Sequence, residues 1–244
     1  GAGLEGQGRG RGQEAFNAPF PPHKIIGNVY YVGSDQLASF LITTPEGHIL
    51  VNSSFETTVP VIRAAVERLG FKFEDIKILV RSHAHGDHME GDALVTKLTG
   101  ARALAMAEDI PPLQAMRSPG GNPRPNYEVL HDGSEVKLGN VTLTAHLTPG
   151  HTPGSQCFLV DDRIVSGDTL FIDACGRVDF PGGNAEQMYY SLTQKLMALP
   201  DETILFPGHN YARLPHATIG EQKKTNPYLR FSSLQQFLAA MGYR

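Results

Sequence analysis

The sequence predicts an α/β sandwich, two sheets face to face with helices outside. Short strands come in meanders followed by a helix, and this happens twice along the 244 residues. The composition, 41% hydrophobic and 19% charged, supplies enough apolar material for a core. Several apolar strands also run straight into polar, glycine-flanked segments, which places chemistry at strand ends.

The first residues, "GAGLEGQGRGRGQEAFNAPFPP", have no periodicity and little to bury, so 1–22 reads as a flexible N-terminal arm. The chain opens without Met or an apolar leader core. This fits a mature chain whose secretory leader was removed, or a trimmed sequence carrying a tag scar. Residues 23–244 are expected to form a single domain. "KIIGNVYYVG", "ASFLITT" and "HILVNSS" read as strands. In "TTVPVIRAAVERLGF", Val59, Ile62, Val66 and Leu69 share one helical face and Gly70 ends it. "DIKILVRS" is a strand, "GDALVTKLTG" a helix and "ARALAMA" a strand. Residues 108–128, with Pro111, Pro112, Pro119, Pro123 and Pro125, are expected as loop after one helical turn.

The second half repeats the theme. Hairpins are expected to turn at Gly139-Asn140 and Asp161-Asp162. An amphipathic helix over "NAEQMYYSLTQKLMAL", the strand "TILFPG" and a last helix over "SSLQQFLAAMGY" complete the chain. A net charge of −4 gives no basic footprint for nucleic acid. No apolar run approaches the roughly 18 residues of a membrane span. A small-molecule substrate is the expected partner, and the oligomeric state stays open. Two cysteines, Cys157 and Cys175, do not indicate a disulfide framework.

The densest chemical signal is "SHAHGDHMEG". It places His83, His85, Asp87 and His88 within six positions, just after a buried strand. Core packing of so many polar groups would require a partner for each, whereas short histidine tracts serve metals. Without thiolates, imidazole and carboxylate are the ligands zinc takes. His83 and His85, two apart on extended chain, point the same way and can share an ion. Asp87 and His88 lie past the turn and can face another. Neither shell closes locally. His151 in "LTPGHTPGS", Asp168 in "IVSGDTLF" and His209 in "ILFPGHNY" each follow a strand and are candidates to complete them.

In order and spacing these segments resemble the metallo-β-lactamase superfamily from about residue 22 to 230. The resemblance implies a four-layer αββα metallo-β-lactamase sandwich. It implies that His83, His85 and His151 hold a first Zn2+, that Asp87, His88 and His209 hold a second, and that Asp168 bridges them. A bridging carboxylate widens tolerance toward Fe or Mn. Residues 22–110 look like the third subclass of metallo-β-lactamases, whose first site is all histidine and which are exported. That implies a secreted or periplasmic chain. Residues 150–229 look like short glyoxalase II-type thioesterases and persulfide dioxygenases; a glyoxalase-like role implies the cytoplasm.

The leading expectation is a dinuclear zinc hydrolase whose metal-bound hydroxide opens β-lactam rings, with Asp87 as catalytic residue holding the hydroxide's proton. The alternatives are a glyoxalase II-like thioesterase (hydroxyacylglutathione hydrolase), a lactonase, and a persulfide dioxygenase with one iron on His83, His151 and Asp168. Phe20 and Tyr127 are expected as apolar walls of the substrate pocket. Arg177, Tyr211 and Lys223 are expected as contacts to the peptide arm of a thioester.

Overall fold

A computed structural model describes residues 16–209 and 217–243. Its contacts divide the chain into two compact units. The first holds most of residues 16–128, without 82–84 and 105–114; the second holds those two pieces and everything from residue 129 on.

The first unit carries most of a seven-stranded sheet in chain order, all of its first five strands: β1 (His23–Ile26), β2 (Val29–Tyr31), β3 (Phe40–Thr44), β4 (Gly47–Val51), β5 (Ile76–Val80), β6 (Arg102–Met106) and β7 (Glu128–Leu130). β1 to β4 form an antiparallel meander. β4, β5 and β6 run parallel because helices intervene. "KIIGNVYY", expected as one strand, is a hairpin: Gly27 turns with φ 54° and Ile26 pairs with Val29. The crossover helix α1 (Val59–Arg68) starts with Pro60 in its first turn, where a missing N–H costs nothing. It buries Val59, Ile62 and Val66 against Leu41, Leu50 and Leu79. One turn, α2 (Gly86–Met89), and α3 (Asp92–Thr99) follow β5. α3 ends where Gly100, at φ 68°, sends its N–H to the Thr96 carbonyl. The proline-rich stretch does hold a turn and a half of helix, α4 (Ile110–Ala115), because its prolines sit at the helix start.

Residues 16–20, expected within the flexible arm, are fastened to the first unit. Ser34 Oγ donates to the Phe16 carbonyl, the Asp35 N–H donates to the Ala18 carbonyl at 2.9 Å, and the Asn17 amide bonds Thr57 and Thr58. Residues 1–15 of that arm lie outside the described residues.

The second unit carries a five-stranded sheet: β8 (Glu135–Leu138), β9 (Val141–Leu147), β10 (Gln156–Val160), β11 (Arg163–Gly167) and β14 (Ile204–Pro207), in the order β14-β11-β10-β9-β8. Both hairpins turn where expected, Leu138 pairing with Val141 and Val160 with Arg163. A small ribbon of β12 (Leu170–Phe171) and β13 (Ala174–Cys175) was not legible in so short a run. α5 (Ala185–Tyr190) is capped by Asn184, which accepts the Gln187 N–H at 2.9 Å. It continues through Ser191–Leu196 as a wider turn, with the Met197 N–H reaching the Leu192 carbonyl. α6 (Ile219–Thr225) and α7 (Leu234–Ala240) follow. Met188, Leu192 and Leu196 pack with Ile164, Leu205 and Phe237. Among the described residues no helix is long and apolar enough to cross a membrane.

Candidate metal centre

β5 is buried almost throughout and delivers the chain directly into the histidine segment. His85 sits in extended backbone at the head of α2, and that single turn carries Asp87 and His88. The turn is held from residues 52–54. The Ser53 and Ser54 N–H groups both donate to the His88 carbonyl, at 3.1 and 3.3 Å. Asn52 and Ser54 take positive φ, 69° and 59°, which lets successive N–H groups converge on one oxygen. The Gly91 N–H bonds the Ser54 carbonyl at 2.9 Å; a Cβ at Gly91 would meet the Ser53 carbonyl oxygen at 2.8 Å, so only glycine fits. Asp87 Oδ2 lies 3.6 Å from His88 Nε2.

In the second unit the ligands again leave strand ends. β11 and β14 are parallel neighbours, so the residues after them emerge at one edge: Asp168 follows Gly167, His209 follows Pro207-Gly208, and the Gly208 N–H bonds the Gly167 carbonyl at 2.8 Å. His83 is brought in by the Ser82 carbonyl, which accepts the Gln156 N–H at 2.9 Å. His151 sits in a tight turn. Asp109, buried, accepts the Gly154 N–H at 2.9 Å and the Thr152 hydroxyl at 3.3 Å, and thereby caps that turn.

Three imidazoles face one carboxylate oxygen. Asp168 Oδ2 is 3.1 Å from His209 Nε2, 3.4 Å from His151 Nε2 and 3.7 Å from His83 Nε2. The longer two exceed hydrogen-bond length. They match the ~3.4 Å edge of a tetrahedron of ligands held about 2.1 Å from an ion. His151 Nδ1–H donates to the Arg177 carbonyl at 2.6 Å, and His83 Nδ1 is 3.1 Å from Ser82 Oγ. The carbonyl can only accept, so His151 carries its proton on Nδ1 and keeps Nε2 as the lone-pair donor. The His83 and His151 rings stand perpendicular, centroids 4.6 Å apart. Two sets of side chains place ligand atoms within 4.8 Å of one another: His83, His85 and His151, and Asp87, His88, Asp168 and His209. The donor set, imidazole nitrogen and carboxylate oxygen, fits zinc and is also acceptable to iron or manganese. The cysteines stand apart: both are free, and burial pushes the Cys157 thiol up to about 11 and the Cys175 thiol to about 12.

The metallo-beta-lactamase superfamily profile matches residues 32–209. The chain belongs to that superfamily. The native FEZ-1 metallo-beta-lactamase of Legionella gormanii is similar at 33% identity and TM-score 0.68, covering 92% of this chain and 94% of that one. ETHE1 from Myxococcus xanthus is similar at 28% identity and TM-score 0.69, covering 85% and 86%. The mitochondrial persulfide dioxygenase ETHE1 of Homo sapiens is 29% identical over 196 residues, 80% of this chain and 70% of its own. The chain thus has the α/β metallo-β-lactamase fold expected from its sequence, with clustered histidines and aspartates that could hold metal.

The expected substrate contacts of this superfamily member fare differently. Tyr127 is buried, with its hydroxyl on Asp92 at 2.8 Å and its ring face under Arg81. Phe20 rests edge-on against Tyr31 and near His23. The Arg177 side chain is exposed, paired with Asp179 at 2.6 Å and lying over Phe180; its backbone carbonyl, unforeseen, is what meets His151. Lys223 pairs with Asp201 at 2.7 Å. Tyr211 lies outside the described residues. Sequence reading also missed Arg81, Asp92 and Asp109, which hold the ligand-bearing segments from beneath. A charged residue inside an apolar strand exit is the signal that would have found Arg81.

Proposed function

We propose that this chain is a dinuclear zinc hydrolase that opens β-lactam rings. One observation carries the reading: seven imidazoles and carboxylates fall into two sets, each of ligating size, and Asp168 Oδ2 also lies beside two histidines of the other set. The similarity to FEZ-1, which runs over nearly the full length of both chains, supports the lactam as substrate. His83, His85 and His151 would hold one ion, and Asp87, His88 and His209 the other, with Asp168 shared. Bound there, the metals supply Lewis acidity and a water activated at neutral pH. Asp87 takes the proton of the attacking water on its carboxylate. It returns that proton to the amide nitrogen as the C–N bond breaks. Ser82, the hydroxyl nearest the ligands in sequence, is engaged by His83 and is not needed as a nucleophile.

A persulfide dioxygenase is the second reading. It is favoured by the ETHE1 similarities and by the grouping of His83 and His151 around Asp168, a two-histidine, one-carboxylate set of the kind non-haem iron takes.

Metal analysis with kinetics separates them. Two zinc ions per chain, and kcat/KM for a penicillin, cephalosporin or carbapenem well above that for S-lactoylglutathione, are expected. The reverse preference makes the chain a thioesterase, and one iron with oxygen consumption on a thiol persulfide makes it a dioxygenase. In the hydrolase, Asp87→Asn should lower kcat by about 100-fold or more while metal remains bound; near-normal turnover removes Asp87 from the chemistry.

A further inference from the structure

The segment 83–91 is flanked by two buried charges. Arg81 directly follows β5, two residues before His83, and Asp92 opens α3 four residues after His88. Their side chains, 1% and 0% exposed, pair at 2.7 Å. Arg81 also donates to the Leu104 carbonyl through Nη1 and to the Leu79 carbonyl through Nη2 at 3.2 Å. Asp92 accepts the Ser53 hydroxyl at 2.7 Å on Oδ1 and the Tyr127 hydroxyl at 2.8 Å on Oδ2. The Tyr127 ring lies 4.6 Å from the guanidinium carbon. Ser53 is the same residue whose N–H holds the His88 carbonyl.

A buried ion pair is a poor way to gain stability, because desolvation offsets its attraction and a packed apolar pair does as well. What it provides is fixed geometry. Here it ties the entry of the ligand segment to its exit, and through Ser53 to its middle. We propose that Arg81, Asp92 and Tyr127 are positioning residues for the metal centre: their network holds His85, Asp87 and His88 in the arrangement an ion requires, and so sets zinc affinity. The proposal rests on the metal-centre reading above. It concerns preorganisation, since ligands held in place before the ion arrives need no ordering on binding.

The test is zinc affinity, by competition with a chromophoric chelator, alongside the melting temperature of the metal-free protein. Tyr127→Phe keeps the ring over Arg81 and removes one hydrogen bond to Asp92. Arg81→Lys keeps the charge and removes the planar fork. Both variants should bind zinc about 10–100-fold more weakly, and metal-free Tyr127→Phe should melt within a few degrees of wild type. Unchanged zinc affinity in folded Tyr127→Phe and Arg81→Lys overturns the proposal, whether or not the melting temperature falls. If wild type takes up no zinc, the metal-centre reading fails and the proposal with it; equal uptake by wild type and variants sinks the positioning role alone.

Discussion

Two of the segments that carry candidate ligands are held by opposite means. Residues 83–91 are bracketed by a buried ion pair, Arg81 with Asp92, inside a network of tyrosine and serine hydroxyls. The turn that carries His151 is held by a single carboxylate, Asp109, which accepts a backbone N–H and a hydroxyl, and by close backbone approach: a Cβ on Gly150 would lie 2.6 Å from Met188 Cα. The first segment must fix four candidate ligands, His83, His85, Asp87 and His88, on nine residues, and charge with planar geometry does so. The second fixes one ligand on a hydrogen-bonded turn, for which a capping acceptor suffices. Local hydrogen bonds can define a turn; several ligands on a longer segment need anchors at both ends.

The sharpest way to break this contrast is to remove each anchor. Asp92→Ala leaves the Arg81 guanidinium buried without its counter-charge and should cost about 3–5 kcal/mol in urea unfolding. Asp109→Ala takes the acceptor from the Gly154 N–H, while the Thr152 hydroxyl keeps Ser155 Oγ at 2.8 Å, a smaller loss of about 1–3 kcal/mol. An equal or reversed ranking would mean that charge plays no special part in the first segment.

The smallest effect compares the two units through pH. Burial lowers the pKa of His48, on β4 of the first unit, against the opposing pull of Asp75. Burial likewise lowers that of His146, on β9 of the second, against Asp132. Each group binds its proton more readily unfolded, at 6.5, than folded. Its neutral-state contribution is therefore intact above pH 6.5 and is lost as pH falls from there toward the lowered folded value. Melting of metal-free protein between pH 7.5 and 5 should show His48→Asn and His146→Asn each flattening the acid slope slightly relative to wild type. A slope as steep as wild type in both variants would leave the acid sensitivity to other groups.

Much of this was legible beforehand for physical reasons. The turn pairs Gly139-Asn140 and Asp161-Asp162 fixed two hairpins, and the spacing of Val59, Ile62 and Val66 gave α1. The crowding of His83, His85, Asp87 and His88 pointed to a candidate metal site because so many polar groups after a buried strand have few other uses. α6 was readable from its capping box, Thr218 with Glu221, but Gly220 within its first turn masked the helix. β7 and the β12–β13 ribbon are two or three residues long and owe their form to neighbours rather than to periodicity. Tyr127 shows the limit most clearly: an aromatic in a proline-rich loop reads as a pocket wall, yet its hydroxyl belongs to Asp92.

By itself the sequence determined which residues can ligate metal, that they follow strands, and which family the chain resembles, because residue chemistry and short-range periodicity are local properties. Only the tertiary structure decided that Asp168 faces three histidines, that Arg177 serves His151 through its backbone, and that Arg81 meets Asp92. Those pairings depend on parallel strands and crossovers that bring distant positions together, and no local pattern encodes that distance.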